Sequence, residues 1–181
     1  MTIVDGYTTL IEVKADLRLT TTVDDPRIER KIEAASRTID DITHRTFVTS
    51  GPSARVFNSA GVKVWIDDAQ AVTLVEESSD QSTWSTVAAT ARVFNVRAPI
   101  YKITRIGGAD WLPYVRVTGT WGNASVPTKI REACIILAIR YFKRPDTPEG
   151  VLTGDFGAAR LGREDPDVAR MVKPFIRKVI G

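Results

Sequence analysis

The sequence predicts an α+β protein: a small α-helical bundle of about four helices, with an antiparallel β-rich insert between helices 2 and 3. Three observations lead there. Apolar residues recur at helical spacing up to Arg45 and again from Pro127. Between them, from Ser53 to Gly122, the period changes to two. That central stretch is rich in Val, Ile, Thr and aromatic residues, and turn-forming segments interrupt it.

The elements can be justified in order. Thr9 with Glu12 three positions on has the form of a capping box, and Leu10, Val13 and Leu17 then follow at helical spacing, so a short helix is expected over about 9–18. TTTVDDP breaks it. Asp25 is suited to cap the next helix and Pro26 to open it. Ile28, Ile32, Ala35, Ile39 and Ile42 form a single apolar stripe, and the helix should end near Arg45. Six short strands are expected next: ARVF, VKVWI, AVTLVEE, ARVFNV, YKITRI and VRVTGTW. In the last of these, Val115, Val117, Gly119 and Trp121 should share one face.

Helical spacing resumes at Pro127. Ile130, Cys134, Leu137 and Tyr141 form one stripe, Ala133 and Ile136 a second, and Ile135, Ala138 and Phe142 a third. An apolar arc this wide implies cover on several sides. The stretch from Pro145 to Glu164 shows neither period. Asp165 and Pro166 then open a final helix carrying Val168, Met171, Val172, Phe175 and Val179, which Pro174 should interrupt. The expected organisation is 1–144 as a helical core with its insert at about 53–122, and 145–181 as a flexible loop with a C-terminal helix.

Composition narrows the function classes. Hydrophobic residues are 43% and charged residues 26% of the 181, the balance of a globular chain. No apolar run approaches the length of a membrane span. MTIVDGYTTL lacks a basic region followed by an apolar stretch, so no export signal is expected. The single cysteine, Cys134, has no internal disulfide partner. Residues 1–128 carry 14 Lys/Arg against 15 Asp/Glu, and residues 129–181 carry 11 against 7. The basic excess of the last third is interspersed with acids, unlike a dedicated DNA-binding stripe.

No constellation for catalysis emerges. His44, the sole histidine, sits at a helix end, where a cation suits the dipole. Cys134 reads as a small core residue. The doublets Asp24-Asp25, Asp40-Asp41 and Asp67-Asp68 read as a cap, an exposed helix face and a turn after VKVWI, without EF-hand spacing. Trp65, Trp84, Trp111 and Trp121 read as core or sheet-face packing, because no basic residues interleave them as a base-stacking platform requires. Neither an enzyme, a metal nor a cofactor is expected.

The order of parts resembles one family. YTTLIEVKADLRLTTTVDDPRIERKIEAASRTIDDITHRTF (Tyr7 to Phe47) is similar to the opening of tailed-phage head–tail connector proteins, also called adaptor or head-completion proteins. VRVTGTWG followed by VPTKIREACIILAIRYFKR, and the tail PEGVLTGDFGAARLGREDPDVARMVKPF, resemble their later segments. The resemblance implies a structural virion protein with no enzyme activity. It would form a ring of identical subunits, a dodecamer, beneath the portal protein, joining capsid to tail around the DNA channel. A stopper or tail-terminator protein would follow on the other side, and no membrane is involved. Under that resemblance Ile135, Ile139 and Phe142 are candidates for the subunit interface, the alternative being that the sheet covers them within one subunit. Arg160, Arg163, Arg170, Lys173, Phe175, Arg177 and Lys178 are candidates for a portal-docking arm or for the channel lining. A nucleic-acid-binding module is the alternative function, motivated by a pI near 9.1.

Overall fold

A computed structural model describes residues 6–96, 99–143 and 166–177. The chain divides into two compact units, Met1–Arg45 with Val126–Gly181, and Thr46–Ser125.

The first unit is helical. Helix α1 (Leu10–Leu17) opens on the expected capping box: Glu12 N–H donates to Thr9 Oγ1 at 3.3 Å, and Thr9 N–H donates to the Glu12 carboxylate at 2.9 Å. The Thr9 N–H, with the Thr8 hydroxyl donating at 2.8 Å, holds the Glu12 carboxyl below its ordinary range. Helix α2 (Asp25–Thr43) buries Ile28, Ile32, Ala35 and Ile39, four of the five stripe residues read from the sequence, while Ile42 is half-buried. Asp25 is not its cap. The cap position is Asp24, which makes no side-chain cap bond, and Asp25 is the first helical residue, its carboxylate 2.5 Å from Lys14 Nζ of α1. The acid still faces the positive helix start, but it also ties α1 to α2. His44 ends α2 in the left-handed conformation, φ 52°. Helix α3 (Thr128–Lys143) packs against α1, α2 and the short α4 (Pro166–Val172). A 3₁₀ turn, Lys173–Phe175, ends α4 at Pro174, as the proline requires.

A buried polar knot locks α2, α3 and the segment before α1. Ser36 Oγ donates to the Ile32 carbonyl at 2.8 Å and accepts the Tyr7 N–H at 3.1 Å. Cys134 Sγ of α3 lies 3.4 Å from the same hydroxyl. The Tyr7 hydroxyl donates to the Asp40 carboxylate one turn further along α2. Each buried polar atom thereby has a partner, which is the condition for burying it without a penalty of about 1–3 kcal/mol.

The second unit is a six-stranded antiparallel sheet: β1 (Ser50–Asn58), β2 (Lys63–Ser78), β3 (Ser85–Thr86), β4 (Arg92–Phe94), β5 (Ile100–Arg105) and β6 (Tyr114–Trp121), in the order β1-β6-β2-β5-β4 with β3 on β2. Strand β2 serves two sets of neighbours. Its first part pairs with β5 (Lys63↔Thr104, Trp65↔Lys102) and its second with β6 (Ala69↔Trp121 to Ser78↔Tyr114) and β3. Register shifts fall between Trp65 and Ala69, Ala69 and Ala71, and Val72 and Leu74. Val64, Ile66, Ala69, Val75, Val87, Ile103, Trp111, Val115, Val117 and Trp121 make a core of the sheet's own. In β6, Val115, Val117, Gly119 and Trp121 do share the buried face.

This overturns the expected fold class. The sheet is not a small insert carried by a helical bundle. It is a compact unit of comparable size to the helical one, with an independent core. The pattern concealed this because bulges interrupt the period of two, so one 16-residue strand read as the two short ones VKVWI and AVTLVEE. Asp67 and Asp68 accordingly lie within β2, not in a turn. Asp67 pairs with Arg55 at 2.8 Å, and Asp68 is buried, its carbonyl accepting the Gly122 N–H at 2.7 Å. The expected cap Asp165, the loop from Pro145 to Glu164 and Val179 lie outside the described residues.

Close backbone approach makes two glycines obligatory. A Cβ on Gly119 would lie 2.3 Å from the Ala71 carbonyl oxygen, and one on Gly122, whose φ is +89°, would lie 1.9 Å from that of Val48. Gly122→Ala should destabilise the full chain by about 3 kcal/mol or more in urea unfolding. Gly51→Ala, where a Cβ meets nothing within 4 Å, should stay within about 0.5 kcal/mol. Equal effects would mean that the two sites are not distinguished by this crowding.

Candidate assembly surfaces

The first surface to consider is α3. In the chain by itself Ile135 is 7% and Phe142 8% exposed, while Ile139 is partly exposed. The wide apolar arc is therefore largely met from within, α3 having helical neighbours in α1, α2 and α4. Phe142 is further fixed from α2: Arg27 lies over its ring at 4.4 Å and donates to its carbonyl at 2.8 Å. Ile136, Ile139 and Tyr141 are the stripe residues of this helix that stay half-buried.

The candidate arm residues divide. Arg170 and Lys173 are exposed, and Arg170 has Asp167 at 3.8 Å on its own helix. Phe175 and Arg177 are partly buried; the Arg45 guanidinium donates to the Phe175 carbonyl at 3.5 Å, and Arg177 N–H donates to the Thr43 carbonyl at 2.9 Å. Val168 and Val172 anchor α4 at 3% and 1% exposure. Arg160, Arg163 and Lys178 lie outside the described residues.

The sheet carries a feature that the sequence reading missed. Each of its four tryptophans has a cation over its ring: Arg55 over Trp121 at 4.6 Å, Arg105 over Trp111 at 5.2 Å, Arg116 over Trp84 at 4.3 Å and Lys102 over Trp65 at 5.9 Å. The expectation that no basic residues interleave the tryptophans fails because the cations come from neighbouring strands, not from adjacent positions. One signal was available for Trp65. In KVWI, a period of two places Trp65 beside Lys63 and opposite Val64 and Ile66, hence outward. Three of the four cations are also held by carboxylates: Arg55 by Asp67, Arg105 by Glu77 and Arg116 by Glu76. The bidentate Arg116 contact lowers the Glu76 carboxyl and raises the guanidinium.

Among the described residues no three His, Cys, Asp or Glu side chains gather as a metal-binding group, and no helix is long and apolar enough to cross a membrane. Burial pushes the Cys134 thiol above its ordinary value, against the opposing hydrogen bond from Ser36.

Comparison with known proteins finds a family profile similar to part of the sequence. The profile described as "Phage gp6-like head-tail connector protein" matches residues 7–91. Over this span, a little under half of the chain, the sequence is similar to head–tail connector proteins. The match runs from Tyr7, pinned to Ser36, through α1 and α2 and into the sheet. The fold is also similar to a chain of the solved structure described as "Neck of empty GTA particle computed with C6 symmetry", at 20% identity and TM-score 0.68, covering 100% of this chain and 95% of that one. No curated protein matches the sequence.

The one thiol of the chain offers a direct check of the α2–α3 seam. Cys134 should resist iodoacetamide in the native chain at about pH 8 and react once guanidinium unfolds it. Rapid labelling of folded protein would show that the seam opens readily.

Proposed function

We propose that this protein is a non-enzymatic structural protein of the neck of a tailed-phage-like particle, a head–tail connector. In this reading it is a head-to-tail adaptor that forms a ring beneath the portal, joins capsid to tail and surrounds the channel through which double-stranded DNA passes without sequence-specific contact. The observation that carries the reading is the conjunction of the family profile over 7–91 with a fold likeness that spans the whole chain and belongs to a neck component. That neck was computed with C6 symmetry, which suits a closed ring of six or of a multiple such as about twelve copies.

A ring subunit needs two different contact surfaces. Ile139, with the edges of Ile135 and Phe142, is proposed as part of one. Because two of the three are already mostly covered, this helix supplies a small contribution to a larger contact and is not a greasy face waiting for cover. The C-terminal piece with Arg170, Lys173, Phe175 and Arg177 is proposed as the portal-facing arm, its exposed cations directed at an acidic surface. Arg160, Arg163 and Lys178 belong to the same proposal through the sequence. A stopper or tail-terminator protein is the proposed neighbour on the tail side.

Deleting the gene from its particle-producing host tests the reading. DNA-filled heads and free tails should accumulate unjoined, and supplying the protein in trans should restore joined particles in electron micrographs. Normal tailed particles in the deletion strain would refute the adaptor role.

A further inference from the structure

The outward face of β2, β5 and β4 has a composition unlike the rest of the sheet. Trp65 is 48% exposed and stacks on Tyr101, itself 39% exposed, with ring centroids 6.0 Å apart and planes 10° from parallel. Lys102, the cross-strand partner of Trp65, reaches over its ring. Lys63, two residues along the same side of β2, is exposed. Val93 and Val96 extend the apolar area at 51% and 101% exposure, and Val93, Asn95, Val96, Tyr101, Lys102 and Thr104 line a shallow open depression beside it.

The three other tryptophans of the sheet show what is missing here. Each sits beneath an arginine whose charge a carboxylate completes. Among the described residues Lys102 and Lys63 have no carboxylate partner, and theirs is the aromatic pair left open to solvent. We propose that this face is a docking surface for a second protein that supplies the absent carboxylates: a segment with acidic side chains spaced around apolar ones. The carboxylates would close on Lys102 and Lys63 while the apolar side chains cover Trp65, Tyr101 and Val93. Aromatic anchors of this kind dominate protein interfaces, and charge complementarity selects the occupant. A nucleic-acid strand suits the face less well, because two lysines beside the exposed apolar Trp65, Tyr101, Val93 and Val96 offer little to neutralise a phosphate backbone. The inference does not rest on the neck reading; it follows from the charge pattern of the sheet.

The test uses the full chain and a short synthetic peptide alternating glutamate with leucine, with its lysine–leucine counterpart and oligo-dT as controls, read by isothermal titration at low salt. The wild type should bind the glutamate peptide and not the lysine peptide. Trp65→Ala should weaken that binding by about tenfold or more. Lys63→Glu with Lys102→Glu should abolish it and create binding of the lysine peptide instead, a gain that a misfolded variant could not show. Binding of the glutamate peptide undiminished in the charge-reversed variant would overturn the proposal. So would oligo-dT binding that depends on the same residues, or self-association of the free chain that Trp65→Ala removes. Particle joining is read separately in the deletion strain, so failure of either idea leaves the other standing.

Discussion

Between Trp65 and Leu74, strand β2 exchanges one set of hydrogen-bonding neighbours for another, and the irregularities in its register bend it as it does so. A straight strand of that length would hold its two halves in one plane. The bend lets both halves contribute to one core, with Val64 and Ile66 from the first and Val75 from the second meeting Ile103, Val115, Val117 and Trp121. The crowding at Gly119 follows directly. Where β2 bulges, its carbonyl at Ala71 comes so near β6 that no side chain fits between them. The same bend leaves the outward residues of the first half, Lys63 and Trp65, facing solvent beside β5.

Electrostatics in the sheet follow from its tryptophans. Arg55, Arg105 and Arg116 each lie between an indole and a carboxylate, so the flat guanidinium face and its N–H edge are both used. These residues count toward the basic pI without behaving as free cations. Each pair sums to zero formal charge, so these three arginines add nothing to the net +3 and are not free to meet a polyanion, which weakens the nucleic-acid-binding alternative that the pI suggested. In the helical unit the analogous economy is local. A single hydroxyl, Ser36, satisfies the Tyr7 backbone, meets the Cys134 thiol and closes on its own helix.

Legibility in the sequence tracked the range of the interactions. The α1 capping box, the stripe of α2, the alternation of β6 and the break at Pro174 depend on residues a few positions apart, and each could be read directly. The bend of β2 could not, because it arises from pairing with strands that lie tens of residues away. Hence Asp67 and Asp68 looked like turn residues, although Arg55 and Gly122 hold them in a strand. The breadth of α3 was legible, but its cause was not: it follows from having α1, α2 and α4 as neighbours at once. Cations over the tryptophans were invisible for the same reason, since none is adjacent to its ring in sequence.

Ser50 pairs with Trp121, Thr49 donates to the Asn123 carbonyl at 2.8 Å, and Val48 crowds against Gly122. The polypeptide thus enters and leaves the sheet through one narrow gate. A module gated this way can drift, lengthen its far hairpins or be exchanged for another by recombination while its point of attachment stays constant. Related proteins would then be expected to vary most in the hairpins farthest from Ser50 and Trp121, and least around the gate itself.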